Sequence, residues 1–102
     1  FLAQLSVMME ESSPRISMTV DDHVRSLASS VKEHVERRAE GSFASYEPHS
    51  YREQIGAGTY YNIKVDTGSE YIHIQVLEPL PFSGEQTAFI QYEGRKTLQD
   101  RL

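Results

Sequence analysis

Cysteine and tryptophan are both missing from the 102 residues. Without a thiol the chain has no disulfide, no thiolate nucleophile and no cysteine-based zinc site, so the fold must hold by packing alone. Basic residues are in the minority, 10 Lys and Arg against 15 Asp and Glu, and the formal net charge is −5. That balance argues against nucleic acid or an anionic membrane as partner, since phosphates call for a basic face. It suits a basic or neutral protein. Long apolar runs are lacking too: the opening "FLAQLSV" is the most apolar stretch and falls far short of the ~20 residues a membrane helix needs. No repeat or low-complexity tract occurs. With 38% hydrophobic and 25% charged residues, the composition is that of one globular domain with a single modest core.

The chain opens at Phe1 ahead of tandem Met8 and Met9, a natural initiation point. Residues 1–11 therefore read as an N-terminal extension, expected to be mobile, with a signal remnant, an artificial appendage and a retained extension all open. Residues 12–102 form the domain. Its first stretch has Pro14 and no sustained period, the pattern of an extended arm. Beyond it Val24, Leu27, Ala28, Val31 and Val35 form one apolar stripe at helical spacing. The stripe predicts a helix over 21–39, opened by a Thr19–Asp22 capping box and ended by Gly41.

After Gly41 the period changes to two. Thr59, Tyr61, Ile63 and Val65 alternate with Tyr60, Asn62, Lys64 and Asp66; Ile72, Ile74 and Val76 alternate with Tyr71, His73 and Gln75. "DTGSE" supplies the turn between these runs. "SFASYEPHSYREQ" predicts an earlier strand in which Pro48 forces an edge or a bulge, and "TAFIQY" a last short one. The fold class is therefore α+β, a helix packed on one face of an antiparallel sheet.

Sites of chemistry are hard to find. Gly56, Ala57 and Gly58 precede a strand rather than the helix a phosphate loop needs, and no Lys-Ser/Thr pair follows, so nucleotide binding is set aside. His23, His34, His49 and His73 show no metal-ligand spacing, which predicts no metal, and His73 falls on the solvent face by alternation. Asp21 and Asp22 are explained by the start of a helix. Ser26, Ser29 and Ser30 lie off the apolar stripe, and no nucleophile, metal set or cofactor loop survives. The chain is expected to be neither an enzyme nor a cofactor carrier.

What remains is the character of two turns. "QIGAG" and "PLPF" place small or apolar residues where water-facing turns carry Asn, Asp or Ser. In a meander both lie at one end of the sheet, and the polar "DTGSE" turn at the other. Apolar surface gathered at one end marks an interaction site; the competing reading has Ile55 and Leu80 tucked into the core.

The helix followed by "REQIGAGTYYNIKV", and then "YIHIQVLEPLPF" with its Leu-Pro turn, resembles the cystatins, specifically the type 1 cystatins or stefins. The lack of cysteine fits that type. The resemblance implies the cystatin-like fold, an antiparallel sheet of four to five strands wrapped around one long helix, and reversible, tight inhibition of papain-like cysteine proteases such as cathepsins L, B and H and papain. It implies that three segments enter the enzyme's cleft: the arm at Ser12, Ser13 and Pro14; the first loop at Gln54, Ile55, Gly56, Ala57 and Gly58; and the second at Leu80, Pro81 and Phe82. It further implies a cytoplasmic protein, with secretion as the alternative if the apolar opening is a signal remnant. The expected form is a monomer, with a domain-swapped dimer open to it through the first loop. Two departures are evident: Gly56 stands where the family has Val, and Ser12 and Ser13 stand where its arm has Gly. They motivate a second reading, a cystatin-fold binding module with weakened or lost inhibition that uses the outward row Tyr60, Tyr71 and His73.

Overall fold

The computed structural model describes residues 18–102. Strand β1 (Met18–Thr19) leads into helices α1 (Asp22–Ser30) and α2 (Lys32–Ala39), which are followed by β2 (Glu47–Gly56), β3 (Gly58–Asp66), β4 (Tyr71–Glu78) and β5 (Ala88–Lys96). The strands form one five-stranded antiparallel sheet in the order β1-β2-β3-β4-β5. Each strand pairs with its neighbour in sequence, as short connections require.

The helical stripe buries as expected. Val24, Leu27, Ala28, Val31 and Val35 pack on Tyr51, Tyr61, Ile63, Val65, Ile72, Ile74 and Val76 of the sheet. Cross-strand register brings Tyr51, Ile63 and Ile74 into one row and Val65 and Ile72 into the next. Each fully buried Ile or Val there contributes about 1.5–3 kcal/mol.

The helix departs from expectation in three details. It is opened by Asp21, whose carboxylate accepts from the Val24 amide at 3.0 Å, while Thr19 pairs with Ser50 in the sheet; the sheet's claim on Thr19 overrides the capping box. It is also broken at Val31 (φ −107°, ψ 4°). There the Ser30 hydroxyl donates to the Leu27 carbonyl at 2.8 Å and the Tyr46 hydroxyl to the Ala28 carbonyl at 2.9 Å. Side-chain donors on these carbonyls weaken the helical ladder and bend it. The apolar face continues across the break, so one long rod becomes two segments on the same core. Finally, the left-handed residue at its end is Glu40 (φ 61°), not Gly41, whose amide donates to the Glu36 carbonyl at 3.0 Å.

Pro48 does produce a bulge: the β2–β3 register shifts between Pro48 and Ser50. The last strand is longer than expected and carries two register shifts against β4, with Arg95 in a left-handed conformation (φ 57°).

The largest departure lies on the sheet's outer face. Lys64 and His73 point away from the helix, yet are only 4% and 8% exposed. The segment after β5 folds back over them. The Lys64 ammonium donates to the carbonyl of Thr97 at 3.2 Å and to those of Leu98 and Asp100. The Asp100 carboxylate in turn accepts from the Thr97 amide at 2.7 Å and from its hydroxyl. His73 is therefore not a surface residue, and its Nε2 is buried with no hydrogen-bond partner among the described residues.

Candidate functional site

The two apolar turns meet at one end of the sheet. β2 and β3 reverse direction around Ala57, with Gly56 opposite Gly58. β4 leaves the same end at Glu78, which pairs with Thr59. The two turns also touch: a Cβ at Gly58 would stand 2.8 Å from the Glu78 carbonyl oxygen and 3.3 Å from the Pro79 Cα. With φ +138°, Gly58 also occupies backbone space that side chains rarely enter. Gly58 thus lets the first hairpin lie flush against the chain entering the second loop. Gly56 is different, because a Cβ there would meet nothing within 4 Å.

The apolar side chains at this end stay in water. Ile55 is 75% exposed, Leu80 55% and Phe82 98%. The other large hydrophobics that are exposed among the described residues, Ile90 and Leu98, lie outside these turns. The alternative in which Ile55 and Leu80 tuck into the core is excluded.

Local bonding shapes the second loop. The Ser83 amide donates to the Leu80 carbonyl at 3.1 Å, closing a turn with Pro81 and Phe82 at its centre. The Ser83 hydroxyl accepts from the Glu85 amide at 3.1 Å, and Gly84 (φ +78°) redirects the chain. The loop's root is held from the helix side. Glu78 Oε1 lies 3.0 Å from His23 Nε2 and accepts from the Tyr61 hydroxyl at 3.3 Å. Burial first, and then the Glu78 carboxylate, pushes the Tyr61 phenol up to about 12, so it remains a donor. This cluster has no signature in the sequence, because its three members are spaced only for strand and helix faces.

Gln54, Ile55, Gly56, Ala57, Gly58, Leu80, Pro81 and Phe82 thus belong to two turns at the same end of the sheet. Ser12, Ser13 and Pro14 lie outside the described residues. β1 bears on them nonetheless: Met18 pairs with Tyr51 and Thr19 with Ser50, so the amino end of β1 points toward the end of the sheet that carries the two loops. Of the expected outward row of Tyr60, Tyr71 and His73, His73 is buried and the two tyrosines are half-buried.

Catalytic and ligand chemistry is sparse. Among the described residues no group of three or more His, Cys, Asp or Glu could hold a metal, and no helix is long and apolar enough to cross a membrane. His49 lies 3.2 Å from the Ser50 hydroxyl and edge-on to Tyr71. What this end offers is shape and apolar surface.

No protein-family model matches the chain. Individual proteins do. Leukocyte cysteine proteinase inhibitor 1 of Sus scrofa is 35% identical over 80 residues, 78% of each chain. Cystatin-B of Mus musculus is 30% identical over 90 residues, 87% of this chain and 92% of its own. Stefin-C of Bos taurus is 30% identical over 80 residues, 78% of this chain and 79% of its own.

Proposed function

The chain belongs to the type 1 cystatin, or stefin, family of cysteine protease inhibitors, and from that membership we propose that it is a reversible, tight-binding inhibitor of papain-like cysteine proteases of the cathepsin L, B and H and papain kind. The protein is a competitive plug: it covers the enzyme's catalytic cysteine without offering a scissile bond. The observation that carries this reading is the exposure of Ile55, Leu80 and Phe82 together at one end of the sheet. A partner that buries them removes apolar surface from water, at about 25 cal/mol per Å². The backbone of Gly56–Ala57–Gly58 has no side chain larger than a methyl, so a cleft wall can approach it closely. The arm at Ser12, Ser13 and Pro14 is proposed as the third contact, on the strength of β1's direction.

A cytoplasmic, monomeric protein is part of the same proposal. Titrating papain and cathepsin L with the purified monomer, while following substrate hydrolysis, tests it: the expected result is a stoichiometric end point. Absence of inhibition at micromolar protein would assign the apolar end to a partner other than a protease. Of the row Tyr60, Tyr71 and His73 that the rival binding module would use, only the half-buried tyrosines reach the surface, which favours the inhibitory reading.

A further inference from the structure

Ile55, Leu80 and Phe82 are presented to solvent in different ways. Leu80 already rests nearly half its surface on the protein, and Ile55 sits on a hairpin tip whose next three residues are Gly56, Ala57 and Gly58. Phe82 is 98% exposed on a turn that the structure holds closed. Pro81 fixes its own φ just before it, the Ser83 amide returns to the Leu80 carbonyl at 3.1 Å, and the Ser83 hydroxyl holds the Glu85 amide at 3.1 Å. A solvated phenyl ring on a preorganised turn has the most apolar surface to lose at this end and few torsions left to freeze. Rigid aromatic anchors of this kind dominate interface energetics.

Resting on the inhibitory reading above, we propose that Phe82 is the principal anchor of the apolar end. Its weight replaces that of the first hairpin, where Gly56 offers no side chain. The protein therefore favours papain-like proteases whose cleft provides an apolar or aromatic-walled hollow beside the channel entered by the hairpin. Enzymes with a charged or filled surface there are held less tightly.

The test is tight-binding titration of papain and cathepsin L with the full chain and with Phe82→Ala, Phe82→Tyr, Ile55→Ala and Leu80→Ala. Because the Phe82 side chain is solvated, Phe82→Ala is expected to keep the parent melting temperature. Its inhibition constant should rise about 30-fold or more on the better-inhibited enzyme and by a different factor on the other. Phe82→Tyr, which keeps the ring, should stay within about threefold, and Ile55→Ala and Leu80→Ala should each lose less than Phe82→Ala. A Phe82→Ala constant within about threefold of the parent on both enzymes, with larger losses at Ile55 or Leu80, overturns the proposal and leaves the inhibitory reading intact. Equal losses on both enzymes overturn the selectivity. A parent chain that inhibits neither enzyme overturns the anchor and the inhibitory reading together.

Discussion

Gly56 and Gly58 stand two residues apart and answer to opposite demands. At Gly58 a methyl group would press on the Glu78 carbonyl oxygen from 2.8 Å at φ +138°. Gly58→Ala should therefore lower stability by about 1–3 kcal/mol and part the two loops, measurable as a lower melting temperature with a weaker inhibition constant. At Gly56 the space is open, and Gly56→Val should fold normally while tightening inhibition, because it adds a β-branched apolar surface and removes backbone freedom that binding must freeze. An unchanged inhibition constant would argue that the hairpin stays outside the cleft. Glu40 poses the converse case. Its φ of 61° is strained for a residue with a Cβ, so Glu40→Gly should raise stability by about 0.5–1 kcal/mol in denaturant titration.

Among the elements, the tail after β5 is tied to the sheet by the Lys64 side chain. Lys64 donates to the carbonyls of Thr97, Leu98 and Asp100, and hydrogen bonds from a charged donor contribute about 1.5–3 kcal/mol. Lys64→Met should lower stability by about that much and open the amides of residues 97–102 to rapid hydrogen exchange. Where periodicity controls an element it was legible beforehand: Val24, Leu27, Ala28, Val31 and Val35 drew the helical face, and Tyr61, Ile63 and Val65 the buried face of a strand. The apolar character of "QIGAG" and "PLPF" likewise pointed to side chains that stay exposed, Ile55, Leu80 and Phe82. Three things escaped. The break at Val31 depends on a Tyr46 hydroxyl that reaches the helix from across the chain. The shifts in β5 reset its alternation, so only its first half looked like a strand. Lys64 and His73 alternate as outward residues should, and their burial comes from a tail with no periodic signal of its own.

At the scale of the whole molecule, the tail makes stability depend on pH. Burial, with the Lys64 and Lys96 charges adding to it and Glu93 and Asp100 opposing, holds His73 below the ordinary histidine value. The unfolded chain binds a proton near pH 6.5 where the folded chain refuses it, so His73 subtracts stability as pH falls below about 6.5 and leaves it untouched above. His73→Gln should flatten the melting-temperature profile between about pH 7 and 5. Exchange of strands at the first hairpin would fuse β2 and β3 across Ala57 and consume the tip proposed to enter the protease; a size-exclusion dimer is thus expected to lose inhibition, and one that inhibits fully would count against that geometry. The sheet's margins bear on a different hazard. One outer strand, β1, is two residues long, and the other, β5, is twice bulged with a left-handed Arg95 near its end. Neither offers the straight ladder of free amides and carbonyls on which foreign strands stack. Edge addition is therefore discouraged at the β5 margin, whereas among the described residues β1 covers only Ser50 and Tyr51 of the ten-residue β2 and shields that margin less.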